Sequence, residues 1–261
     1  MYLSGARLID NALGLKGKIT ALLFFISKTI LRFLVRLNII QNYSYVLLLL
    51  PSDIIIRNEY GIFYCRGKTD DIWIIDPSFE KPIHNLFNLE KGVFVDVGAH
   101  IGKYTIMVAR KLKDGKVIAI EADPNNFKIL KKNLILNSLE NVIALNVAAS
   151  NKRGYINFYH IEGPATAMHS IIKPGRIKCK EIQVRTERLK DILQKLGIKQ
   201  IDLLKIDVEG AERLVLEGLD TKLYDVKKII YEATHSTGCE QLLTTYGFKI
   251  PKTFVFDGSV Y

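Results

Sequence analysis

The chain has 261 residues, of which 48% are hydrophobic and 25% charged, a balance that excludes a disordered or collagen-like protein and allows one main domain with additions. Cys65, Cys179 and Cys239 are scattered, with no C-x-x-C pair and no His–Cys cluster at zinc spacing. That excludes a disulfide scaffold, argues against a structural zinc site and points to a reducing compartment. The net charge of +10 would assist approach to nucleic acid or anionic lipid without choosing between them.

Segment 1–41 is basic, with Arg7, Lys16, Lys18, Lys28, Arg32 and Arg36 against Asp10 alone. From Ile19 the spacing predicts a helix that gathers Ile19, Leu23, Ile26, Ile30, Phe33 and Leu37 on one side, while Lys28, Arg32 and Arg36 form a narrow stripe opposite. The uncharged run Ile19–Ser27 is far short of the roughly 20 residues a bilayer span needs, and no small-residue cleavage site follows it as in a signal peptide. Two readings stand level: a helix of 16–37 lying on an anionic membrane surface, or one packing on the domain or on a second copy in a homodimer. The expected location is the cytoplasm, or the inner face of the cell membrane.

Segment 42–90 reads as a small β-rich preamble. Val46–Leu50 and Ile54–Ile56 are apolar runs, and Glu59-Tyr60-Gly61 is a turn between Ile54–Arg57 and Ile62–Cys65. Trp73 is a packing residue, and Pro82 to Asn88 forms a short helix.

The main domain, 91–261, opens with Val93 to Val97, a β-branched run typical of a strand buried on both faces. Gly98-Ala99-His100-Ile101-Gly102 follows as a tight turn, and Ile106, Ala109 and Leu112 continue in helical rhythm. A dinucleotide loop carries G-x-G-x-x-G and sets a pyrophosphate on the helix end. Here the spacing is G-x-x-x-G, and Asp96, two residues earlier, would repel phosphate but suit a cationic ligand. The turn therefore favours S-adenosylmethionine, with its ammonium and sulfonium, over NAD.

Lys116 to Ile120 is a second strand ending at Glu121, whose carboxylate can accept hydrogen bonds from two ribose hydroxyls. Asp123 and Pro124 read as N-cap and first residue of a helix. Val142 to Val147 is the third strand, and Asn146 near its end either approaches an adenine edge or serves a turn. In 154–184 the helical rhythm stops, giving an inserted hairpin whose loop, with Thr166 and His169, suits substrate selection. Ile201 to Ile206 and Val226 to Tyr231 are the next strands, ending at Asp207 and Glu232, with Glu209 and His235 just beyond. Gly238 to Tyr246 is a helix, and Phe248–Ile250 and Thr253–Phe256 are short closing strands. Acids thus end four strands: Asp96, Glu121, Asp207 and Glu232. Repetition at one sheet edge marks a binding crevice better than any single motif.

Phe94-Val95-Asp96-Val97-Gly98-Ala99-His100-Ile101-Gly102-Lys103-Tyr104-Thr105, with Glu121-Ala122-Asp123-Pro124 and Leu204-Lys205-Ile206-Asp207-Val208-Glu209-Gly210-Ala211-Glu212, resembles the FkbM family of S-adenosylmethionine-dependent methyltransferases, over roughly Asp53 to the C-terminus. The resemblance implies an α/β class I (Rossmann-like) fold with a mostly parallel sheet of seven strands, the last antiparallel. It carries Asp96, Gly98, Gly102 and Glu121 over as cofactor contacts, with Ala99 and His100 in the same turn, and places Asp207, Glu209 and Gly210 near the substrate. Where His100 stands the family commonly has Asn. Lys103 replaces a bulky uncharged residue and is expected to face solvent.

The expected activity is O-methylation of a hydroxyl on a glycan, a lipid-linked sugar or another small metabolite. A hydroxyl acceptor needs a base within hydrogen-bond reach, for which Asp207, His235 and Glu232 are the candidates. A divalent metal held by Asp207, Glu232 and His235 is a further option, although their spacing matches no ligand motif. One alternative is an RNA 2′-O-methyltransferase, since Lys205 and Asp207 supply half of a Lys-Asp-Lys-Glu set. The chain lacks the Asn-Pro-Pro-Tyr motif of base amino-methylation and a Pro-Cys nucleophile, which disfavours nucleic acid. The other is a membrane-associated scaffold that binds the cofactor without turnover.

Overall fold

In a computed structural model the described residues are 9–23, 26, 52–175, 178–222, 224–250, 253, 255–256 and 259–260. They fall into two compact units, one made of residues up to Phe79 with Glu162–Ala167, the other of Glu80–Ile161 and Met168–Tyr261.

In the first unit, β1 (Ile54–Arg57) and β2 (Ile62–Cys65) form an antiparallel hairpin in the register Ile54↔Cys65 to Arg57↔Ile62. Asn58 Oδ1 accepts the N–H groups of Tyr60 and Gly61, which closes the turn. A short helix α1 (Asp71–Ile74) follows. Arg66 grips the buried Asp71 at 2.7 and 2.8 Å, and Thr166 N–H donates to Asp70 Oδ1 at 3.0 Å.

Residues 14–23 are helical, and Leu15, Ile19, Leu22, Leu23 and Ile26 are exposed. The expected stripe residues Lys28, Arg32 and Arg36, with Ile30, Phe33, Leu37 and the run Val46–Leu50, lie outside the described residues. No helix among the described residues is long and apolar enough to cross a membrane.

The second unit is built on five parallel strands. β3 (Lys91–Val97), α2 (Lys103–Ala109), β4 (Asp114–Glu121), α3 (Pro124–Leu136) and β5 (Val142–Asn146) come first in the chain. After a side sheet come α4 (Leu189–Lys195), β9 (Gln200–Ile201), β10 (Leu203–Ile206), α5 (Glu212–Glu217), β11 (Asp225–Val226), β12 (Ile229–Tyr231) and α6 (Cys239–Thr245). The sheet order is β12-β10-β3-β4-β5, so the strand order reverses between β3 and β10, the position where an open α/β sheet binds ligands. Val95, Val97, Ile118, Ile120, Leu204 and Ile206 pack with Leu189, Ile192 and Leu193 of α4, Val215 and Leu216 of α5, and Leu243 of α6. All seven residues of α2 are buried.

The side sheet joins β6 (Ala148–Ser150) in parallel to β8 (Cys179–Arg188), which pairs antiparallel with β7 (Gly154–Ile161). The inserted hairpin is thus present. The closing strands differ from expectation: Phe248–Ile250 is irregular, and the end of the chain makes a two-stranded hairpin of β13 (Val255–Phe256) and β14 (Ser259–Val260). Among the described residues the central sheet has five parallel strands rather than seven with an antiparallel last one. The segment at 81–87 is a 3-10 helix, started by Pro82 near its N-terminus.

Candidate active site

β10 and β3 run in register with Lys205 beside Asp96, and in-register residues of parallel neighbours share a face. Lys205 is 4% exposed and Asp96 1%. The Lys205 ammonium lies 3.4 Å from Asp96 Oδ1 and 3.2 Å from Asp207 Oδ2, and it donates to the Gly98 carbonyl at 3.2 Å. Burial alone would lower its pKa, but Asp207, Asp96 and Glu80 outweigh it and hold the lysine above its ordinary value. Thr105 Oγ1 donates to Asp96 Oδ2 at 2.6 Å. Burial still pushes the Asp96 carboxyl up, against the pull of Lys205.

The turn after β3 is one that only small residues allow. Gly98 has φ +79°, and a Cβ there would lie 1.8 Å from the Asp207 carbonyl oxygen. Gly98 and Ala99 N–H both donate to Ile120 O, at 2.9 and 3.0 Å, and Gly102 N–H donates to Ala99 O at 2.8 Å. His100 sits at φ +50° and sends its N–H to Glu121 Oε2 at 2.7 Å. With these four amides engaged inside the protein, the turn offers no nest for a pyrophosphate.

Glu121 ends β4, 6% exposed. Its other oxygen accepts Asp123 N–H at 2.8 Å, and burial pushes its carboxyl up to about 7. Asn146, its in-register neighbour on β5, donates to the carbonyls of Glu121 and Ala122 at 2.8 and 3.1 Å. Asp123 caps α3 through the N–H groups of Asn125 and Asn126, as expected, and also meets two histidines through its second oxygen.

Asp207 follows β10 and Glu232 follows β12, each donating its N–H back across the sheet, to Val97 O and Ile206 O. One carboxylate oxygen from each of Asp207, Glu209 and Glu232 lies within 4.8 Å of the other two. Burial, then the Asp207 charge, pushes Glu232 up to about 8, so one proton is retained by this cluster near neutral pH. Glu209 stands at φ +55°. The adjoining loop is held by Glu212, whose Oε1 accepts the N–H groups of Val208 and Gly210 at 3.0 and 3.2 Å.

The other sequence-predicted residues divide. His235 is exposed, with its backbone oxygen and Cβ packed 3.4 and 3.6 Å from where a Cβ on Gly210 would stand. The metal option is corrected in its members: the ligand-capable set at this edge is Asp207, Glu209 and Glu232, without His235. Thr166 belongs to the first unit, hydrogen-bonded to Asp70. His169 is 7% exposed and turned towards Asp123. Lys103 does not face solvent: it is 3% exposed, and its ammonium is 3.2 Å from Glu80 Oε2, which also accepts the Tyr104 hydroxyl at 2.7 Å. As the first residue of a wholly buried helix it has no outward face, so it pairs instead. Sequence reasoning missed Lys205 as the anchor of this site, although a lysine inside Leu203–Ile206 of an apolar strand is the signal that could have found it.

The donor set suits a cationic, phosphate-free ligand carrying a ribose: acids at four strand ends, a backbone approach guarded by Gly98, and a buried carboxylate at Glu121. Residues 96–250 match the methyltransferase FkbM domain. The chain is 30% identical to methyltransferase sdnD of Sordaria araneosa over 73% of its own length and 86% of the relative's. It is 28% identical to the hexuronic acid methyltransferase AglP of Haloferax volcanii, over 66% and 70%, and 25% identical to the 2-O-methyltransferase NoeI of Sinorhizobium fredii, over 53% and 61%. The acids at the strand ends, the glycine turn and these matches together make the chain a member of the FkbM family of S-adenosylmethionine-dependent methyltransferases.

Proposed function

We propose that the protein methylates a hydroxyl of a glycan, a lipid-linked sugar or another small metabolite. The observation that carries this reading is the convergence of Asp207, Glu209 and Glu232 beside the glycine turn. S-adenosylmethionine supplies a methyl group already activated as a sulfonium. What the chain must add is orientation and removal of one proton. Gly98, Ala99, His100 and Gly102 line the backbone approach, Asp96 faces the methionine end, and Glu121 holds the ribose. Asp207, whose carboxylate lies 3.2 Å from the Lys205 ammonium, takes the hydroxyl proton. Glu209 orients the acceptor. The names of AglP and NoeI, a hexuronic acid and a 2-O-methyltransferase, support a sugar hydroxyl.

The test is transfer of label from methyl-labelled S-adenosylmethionine to separate pools of glycans, lipid-linked sugars and RNA. Asp207→Asn is expected to lower kcat by about 10²–10⁴, the range for a general base, with cofactor affinity nearly unchanged. Label in RNA or in an amine, or an Asp207→Asn enzyme of full activity, overturns the reading. Activity lost to a chelator and restored by a divalent ion would assign the three carboxylates to a metal instead.

The exposed Leu15, Ile19, Leu22, Leu23 and Ile26 support seating of 16–37 on an anionic membrane surface. The triple change of Lys28, Arg32 and Arg36 to Gln should then weaken binding to anionic vesicles by on the order of 1 kcal/mol per residue. Dimerisation of a wild type that ignores vesicles would make the helix a protein interface.

A further inference from the structure

A cluster that methyl transfer does not use stands two residues beyond Glu121. Asp123 Oδ2 lies 2.7 Å from His160 Nδ1 and 3.2 Å from His169 Nδ1. The two imidazoles stack at 4.0 Å between centroids, inclined by 39°. Each residue brings one ligand-capable atom within 4.8 Å of the other two. We propose that Asp123, His160 and His169 form a binding site for a first-row divalent transition metal, zinc by its donor set.

Coordination chemistry supports this from several sides. Two imidazole nitrogens and one carboxylate oxygen are the mixed donors that zinc takes when it keeps a fourth position open. Ligand atoms about 2.0–2.2 Å from a tetrahedral ion stand roughly 3.3–3.6 Å from each other, so the two contacts of Asp123, at 2.7 and 3.2 Å, need open by less than about 1 Å to admit one. The carboxylate is already oriented as a metal ligand's should be: its Oδ1 accepts the N–H groups of Asn125 and Asn126 at 2.8 and 2.9 Å, leaving Oδ2 for the histidines. Asp123 is fully buried and its side chain cannot swing away.

His169 is the telling member. Its side chain is 2% exposed, yet neither ring nitrogen makes a hydrogen bond of good geometry among the described residues. A buried imidazole without such bonds is costly, and metal ligation at one nitrogen would offset that cost. The sequence places the three on separate elements: the cap of α3, the end of β7, and the return arm after the hairpin loop. That arm is held where Ser170 N–H donates to Tyr159 O at 3.3 Å and Tyr159 N–H to Ser170 O at 2.7 Å. An ion here would tie the hairpin to the N-terminus of α3, next to Glu121.

The experiment uses the full chain, stripped with a chelator and titrated with Zn²⁺ by calorimetry and with Co²⁺ by visible absorption. One ion per chain is expected, with the intense d–d bands of low-coordinate Co²⁺. His160→Gln and His169→Gln should each weaken binding by more than about tenfold, the loss that even an outer-shell partner can produce. Asp207→Asn, in the carboxylate cluster, should leave the titration unchanged. His160 is the more exposed of the pair, at 28%, so its variant stays informative if the His169 variant fails to fold. Absence of stoichiometric binding, or binding that His160→Gln leaves intact, overturns the proposal and leaves the trio a hydrogen-bonded network. Calorimetry with S-adenosylmethionine on the same samples reports separately on the methyltransferase site.

Discussion

Asp96 and Asp207, at the ends of the two inner strands β3 and β10, share the buried ammonium of Lys205. Glu121 and Glu232 end the strands on either side, β4 and β12, and have no cation within salt-bridge distance among the described residues. The inner pair shares one cation, which fixes the geometry. The outer pair is held by backbone N–H groups or by a shared proton, and burial raises the carboxyls to about 7 and about 8. One sheet edge thus carries acids of two kinds: those that build the site, and those left with spare capacity for a ligand's hydroxyl groups.

The largest effect should come from breaking the inner pair. Lys205→Met leaves the buried Asp96 carboxylate without its partner, and unpairing a buried charge costs about 3–5 kcal/mol. Denaturant titration should show that loss, and Asp96→Asn added to Lys205→Met should recover part of it, since the two changes act on one interaction. Full additivity would mean that the pair is not coupled. Gly98→Ala comes next: the new Cβ meets the Asp207 carbonyl at 1.8 Å and the left-handed backbone adds strain of order 1–3 kcal/mol. Lower stability and weaker cofactor binding are expected together.

The outer pair should respond through ligands and protons rather than through folding. Glu121→Ala is expected to weaken S-adenosylmethionine binding by roughly 1–3 kcal/mol, the scale of a lost charged hydrogen-bond partner, as read by calorimetry. Unchanged affinity would remove Glu121 from the ribose. Glu232 differs in kind, because its signal is read as a slope with pH and not at any one pH. Its folded pKa of about 8 exceeds the ordinary 4.5, so the folded state keeps a proton that the unfolded chain has released. Its contribution is present below about 4.5 and is lost as pH rises towards 8, at no more than about 1.4 kcal/mol per pH unit and less after solvent screening. Melting curves of Glu232→Gln across that window should be flatter than those of the wild type.

Much of this was legible beforehand, for physical reasons that also mark the limits. Val93–Gly102 declares a buried strand and a turn through β-branching and glycine, and the four acids are conspicuous because each ends an apolar run. The convergence of Asp207 with Glu232 follows once β10 and β12 are neighbours. The burial of Lys103 is not legible in the motif because its partner, Glu80, lies outside it, and only the packed 3-10 segment brings the two together. By sequence Asp123 reads as a cap and His169 as a loop residue, and His160 is not singled out. Nothing in their spacing shows that β7 and the arm after it return to the start of α3. The expected closing strand at Phe248–Ile250 does not form, since a short apolar run does not by itself secure a pairing partner.

The left-handed backbone at Glu209 bears on how this enzyme could be re-engineered. At φ +55° glycine would be the relaxed occupant, yet its greater freedom in the unfolded chain would offset the relief, each term being about 1 kcal/mol. The backbone part of a Glu209→Gly change is therefore close to neutral, and any loss of thermal stability it causes reports on what the carboxylate does beside Asp207 and Glu232. Position 209 is accordingly a place to vary in a library aimed at new acceptors, with residues that accept a left-handed backbone, Gly, Asn and Asp, and the cofactor turn is left untouched.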